Sequence, residues 1–190
     1  MQKSSKTVFG GLSIWFVLAI AFGFSGRMVT WQPPLPQVLV ITLTAGFLAI
    51  IFLVPRFREW AGTVSVRALV GWHLTRFLAG AYFLTLSARG MLSSVFAILA
   101  GWGDIAVAIA ALGLLLTASA QSKSGRLLYT VWNVLGLLDI LFVVVSAARV
   151  GLSDPPSMRA FLQMPLSLLP TFLVPTIIAG HIILFRRLRA

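Results

Sequence analysis

Arg76, Asp104, Asp139, Asn133, His73 and His181 are polar side chains set within or beside long apolar runs. Their types allow three kinds of chemistry. A guanidinium beside a carboxylate forms an ion pair or holds a hydrogen-bonding solute. Carboxylates and imidazoles take up protons and pass them on. Two imidazoles at one level on different helices also match what axial ligation of a haem b requires.

Spacing from the flanking basic residues gives each a depth. Arg76 lies nine residues past Arg67, which at 1.5 Å per residue is ~13 Å into a ~30 Å hydrocarbon core. Asp139 lies thirteen residues past Arg126, near the midplane from the same side. The two are expected either to pair as an internal strut or to handle a substrate or proton. His73 is six residues inside Arg67 and His181 five inside Arg186, so their depths agree to ~2 Å. That agreement fits two hydrogen-bonded imidazoles lining a path, or a haem b held by both. A haem would also need an apolar slot, which Phe77 and Phe185 are placed to line. Zinc would lack a third ligand at that depth. Asn133 falls off the helix face that carries Asp139 and Gly136, so it would bond a different neighbour. Gly136 would let another backbone come close beside Asp139. Asp104, after Gly101-Trp-Gly103, reads as the N-cap of a helix or as an acidic lip on a cavity. Pro170 and Pro175 should kink their helix, or break it and free carbonyls.

The elements that must hold these side chains follow from composition. The 190 residues are 59% hydrophobic and 10% charged, with a mean hydropathy of +0.99. A soluble domain needs ~25% charged residues to cover itself, so a soluble globular fold is excluded, as are disorder and low complexity. With no cysteine, disulfides, thiolate metal sites and cysteine nucleophiles are excluded too. An all-α membrane bundle remains, a single transmembrane domain over 1–190. Six spans are expected, near 8–25, 37–54, 68–88, 103–119, 127–148 and 166–185, with 91–100 as a short interfacial or re-entrant helix. The first is read as a retained helix and not a cleaved signal. Pro33, Pro34, Pro36 and Pro55 mark breaks.

Of the fifteen Lys and Arg residues, ten (Lys3, Lys6, Arg56, Arg58, Arg67, Lys123, Arg126, Arg186, Arg187, Arg189) fall on one side of this arrangement. Four (Arg27, Arg89, Arg149, Arg159) fall on the other, and Arg76 is between. The asymmetry predicts both termini in the cytoplasm. The net charge of +11 therefore serves topology and anionic lipid, not nucleic acid. Gly10, Gly11, Ala19 and Gly23 suit the first helix to close packing, within the chain or in a homo- or hetero-oligomer. Motifs of hydrolases, zinc proteases, nucleotide-binding loops and dinucleotide folds are missing.

The runs Gly101-Trp-Gly-Asp104, Trp132-Asn-Val-Leu-Gly-Leu-Leu-Asp139 and Pro170-Thr-Phe-Leu-Val-Pro175, with His181, resemble a group of small multi-pass bacterial inner-membrane proteins without assigned activity. The resemblance covers roughly residues 70–190. It implies that Arg76, Asp104, Asn133, Asp139 and His181 occupy the group's polar positions, while His73 departs from it, which counts against obligatory haem ligation. The expected function is non-enzymatic: binding or moving a small solute or proton through this cluster, with no cofactor. A bis-histidine haem-b electron carrier and a structural subunit are the alternatives.

Overall fold

The computed structural model describes residues 2–189, with side chains from Ser5 onward, so the side chain of Lys3 lies outside the described residues. The described residues are all-α, without strands. Eight α-helices follow in order: α1 Gln2–Phe24, α2 Leu35–Leu53, α3 Pro55–Thr63, α4 Val66–Trp72, α5 Thr75–Ala88, α6 Ser94–Thr117, α7 Lys123–Ser153 and α8 Val174–Arg189. Short 3₁₀ segments lie at Arg27–Thr30 and Pro155–Leu162, and a π-helical turn at Leu169–Leu173 runs directly into α8.

Local signals account for the boundaries. Pro33, Pro34 and Pro36 separate α1 from α2, and Pro55 begins α3 where a missing amide hydrogen costs nothing. Ser65 caps α4 by accepting from the Ala68 amide at 3.1 Å, and Ser122 caps α7 through the Gly125 amide at 3.0 Å. Arg187, in the last turn of α8, donates to the Val64 carbonyl at 3.1 Å and the Gly62 carbonyl at 2.5 Å. It thereby satisfies acceptors at the end of α3.

Among the described residues, five helices are long and apolar enough to cross a membrane: α1, α2, α6, α7 and the π turn with α8. Two expectations need correction. The segment near 68–88 is not one helix but two, α4 and α5, joined at His73 and Leu74. The residues at 91–100 form no separate interfacial helix either. Residues 94–100 are the first turns of α6, which runs unbroken from Ser94 to Thr117, and 91–93 lead into it. Gly101 and Gly103 do not end it, because glycine in an apolar helix serves close packing. An added methyl at Gly80 would meet the Gly101 carbonyl, so α5 and α6 cross there almost backbone on backbone.

The last helix is the centre of the assembly. Its apolar window is 72% buried, against 11% for α2 and 17% for α1, and it packs on α2, α4 and α7. Large side chains elsewhere, such as Ile14, Leu53, Leu78, Leu116 and Val145, point outward. That is the pattern of a bundle whose surroundings are as apolar as its core. Of the small residues on α1, Gly23 faces Met164 and Ser167 closely and Ala19 is buried, while a methyl added at Gly10 would meet nothing within 4 Å outside its own helix.

Candidate functional site: a charged and imidazole cluster beside a cavity

The break between α4 and α5 is built from 3₁₀-type bonds. The amides of His73, Leu74, Arg76 and Phe77 each bond the carbonyl three residues back, at 3.1 Å. Thr75 donates its hydroxyl to the Trp72 carbonyl at 2.8 Å, taking up an acceptor that the turn releases. The turn directs His73 and Arg76 into the protein, where both are buried.

Arg76 bridges three helices. Its Nε donates to Asp104 Oδ1 of α6 at 2.6 Å, Nη1 to the Gly136 carbonyl of α7 at 3.0 Å, and Nη2 to Asp139 Oδ2 of α7. The expected Arg76–Asp139 pair is therefore brought together, with a second carboxylate added. Asp104 is not an N-cap: it lies ten residues in from Ser94, 3% exposed. The cation beside it explains how a carboxylate is tolerated in mid-helix, since burying a charge is costly unless it is paired. Asp139 packs against Gly103, where an added methyl would collide with Oδ1.

A second polar group adjoins the first. Asn133, buried on α7, reads both sides of His181: its Nδ2 donates to the His181 carbonyl at 3.0 Å and its Oδ1 lies 2.8 Å from His181 Nδ1. The ring of His181 rests on Gly136, whose added methyl would stand 2.7 Å from Cε1. That glycine thus opens space for an imidazole, while its carbonyl holds Arg76. His73 stacks on His181 with ring centroids 4.1 Å apart and planes tilted 41°. Trp132 flanks both rings at 5.2 and 5.6 Å. Both ring nitrogens of His73 and Nε2 of His181 are buried without a hydrogen-bond partner.

These two histidines do not fit a haem in this arrangement. Axial ligation places iron between two ring nitrogens ~4 Å apart, with the macrocycle passing between rings that meet it end-on. Here the rings contact each other over their faces, and no plane can pass between them. Phe77, expected to line the slot, points outward and is 46% exposed.

Beside the cluster lies a cavity of about 360 Å³. Arg76 and Asp104 are among its polar lining, and Phe83, Val143, Leu173 and Ile177 among its apolar walls. Trp31, Gln37 and Arg159 line it toward the end of the bundle that carries the two 3₁₀ segments. Pro170 and Pro175 do not leave open carbonyls in bulk: the π turn absorbs the first, and Thr171 donates to the Ser167 carbonyl at 2.7 Å. Sequence reasoning offered Asp104 as an acidic lip on a cavity, and the lining includes it; the walls of the cavity and the role of Gly80 were missed. The only hint was the run of small residues Gly101, Gly103 and Ala100 around Asp104.

No curated protein and no solved structure matches the chain. A family model does, over residues 33–189, a region that includes α2 to α8 and every residue of the cluster. The chain belongs to the family described as Domain of unknown function (DUF8737).

Proposed function

We propose that this protein is an integral protein of the bacterial inner membrane that binds or moves a small solute or proton at the cluster of Arg76, Asp104, Asp139, Asn133, His73 and His181. In this reading α4 and α5 together make a sixth crossing, and both termini are cytoplasmic. The ten-to-four distribution of basic residues supports the orientation. Lipid is the surrounding partner.

One observation carries the functional part. Two carboxylates share one guanidinium inside the bundle. With both imidazoles neutral, the formal charges sum to minus one in a region that solvates charge poorly. A proton held by the cluster removes that excess, and so does a bound cation. A purely architectural ion pair would need only one carboxylate.

The test is a proton count. The protein is placed in nanodiscs in weak buffer, and proton release on raising the pH is followed with a pH-sensitive dye. The wild type should release one proton more per chain than Asp104→Asn or Asp139→Asn, because either substitution leaves a balanced pair. Identical release from all three proteins would overturn the reading.

A further inference from the structure

We propose that the cavity is a binding site for a lipophilic organic cation: an amine-headed molecule whose apolar body lies along the walls and whose ammonium group meets Asp104. The cation site rests on the cavity and its chemistry. The added claim, that the ammonium group displaces a proton, rests on the reading above.

Size is the first argument. About 360 Å³ is at the small end of the ~300–1,000 Å³ range of ligand pockets, enough for one ring and a short chain. Wall chemistry is the second. Phe83, Val143 and Ile177 are buried core residues that also face the cavity, offering a ring surface and branched aliphatics to an apolar body. Such walls with a few convergent polar groups are the usual makeup of a small-molecule site.

The polar groups choose the head. Asp104 uses Oδ1 for Arg76, and among the described residues no hydrogen bond reaches its Oδ2. Gln37, on the same lining, has its Oε1 buried without a partner. Both are acceptors. Three of the five N–H donors of Arg76, one on each nitrogen, are already directed at Asp104, Gly136 and Asp139. Acceptors left open beside a cluster of formal charge minus one favour a head that donates hydrogen bonds and carries positive charge. A carboxylate or phosphate head would meet Asp104 with like charge. The competing feature is Arg159 on the lining, which would suit an anionic amphiphile held nearer the membrane surface.

Three probes with one body separate these cases: 4-phenylbutylammonium, the matching alcohol and the matching carboxylate. Binding is measured by isothermal titration calorimetry on the full-length protein in nanodiscs, with empty nanodiscs subtracted. The ammonium probe should bind at least roughly tenfold more tightly than the alcohol, and the carboxylate should not bind above background. Asp104→Asn should lose the preference for ammonium over alcohol. Ala147→Trp, which fills the cavity from α7 and leaves the charged cluster intact, should abolish binding of all three. The carboxylate binding most tightly and losing affinity in Arg159→Gln would overturn the proposal. So would ammonium binding that survives Ala147→Trp. Repeating the titration in buffers of different ionisation enthalpy counts protons. Ammonium binding with about one proton released supports both readings. Binding without release keeps the cation site and overturns the displacement, and normal proton release on raising the pH without ammonium binding overturns the cation site alone.

Discussion

Removing Arg76 should be far more damaging than removing either of its acidic partners. Arg76 is 1% exposed and gives one hydrogen bond to each carboxylate and one to the Gly136 carbonyl. In Arg76→Met, Asp104 and Asp139 face each other without a cation, and stranding a buried charge costs ~3–5 kcal/mol. In Asp104→Asn, the pair with Asp139 survives and the amide oxygen can still accept from Nε. The loss there should stay near ~1 kcal/mol, the worth of an ordinary hydrogen bond. At roughly 2–4 °C per kcal/mol for a chain of this length, Arg76→Met should lower Tm by roughly 6–20 °C and Asp104→Asn by a few degrees. Combining Arg76→Met with Asp104→Asn and Asp139→Asn should recover most of the loss, since no charge remains unpaired. Thermal unfolding followed by tryptophan fluorescence in one detergent measures all of these variants together. The reasoning is refuted if Asp104→Asn is as damaging as Arg76→Met, or if the losses in the triple variant simply add.

Gly80→Ala should destabilise by ~1–3 kcal/mol, because the new methyl meets the Gly101 carbonyl and stands 3.0 Å from Asp104 Cβ; a thermal shift below ~1 °C in the same assay would argue against the close crossing of α5 and α6. Asn133→Leu should cost ~1–3 kcal/mol by leaving His181 Nδ1 without its partner, read as a lower Tm and as faster amide exchange in α8. A C-terminal reporter that fluoresces only in the periplasm should stay dark; a bright signal would overturn the six-crossing topology.

Depth counting along each helix was enough to bring Arg76 and Asp139 together, because both distances run from basic residues that mark the same side. The N-cap reading of Asp104 failed, while the alternative of an acidic lip agrees with its place on the cavity lining. Gly101 and Gly103 have the look of a helix boundary, and only the facing Gly80 on α5 shows that they serve a crossing. The turn at His73 has no proline or glycine at its centre. It depends on the Thr75 hydroxyl competing for one carbonyl, a side-chain choice that hydropathy does not register. Equal depth of His73 and His181 was legible, but depth says nothing of rotation about the helix axis. That rotation decides between rings that face across a gap and rings that stack. Asn133 could be read as lying off the Asp139 face, though its partner depends on how α8 passes α7. Beyond the acidic lip at Asp104, the walls of the cavity were illegible for a related reason: they enclose the space that α2, α5, α7 and α8 leave among them, and no single segment encodes it.

Infrared difference spectroscopy can read the protonation of the buried carboxyls themselves. For wild-type protein in lipid at neutral pH, the cluster should show the carbonyl stretch of one protonated carboxylic acid. That band should be missing from Asp104→Asn and from Asp139→Asn, where one carboxylate and Arg76 balance. A wild-type spectrum with no protonated-acid band would mean that both carboxylates are ionised beside a single guanidinium, and would contradict a proton held at this site.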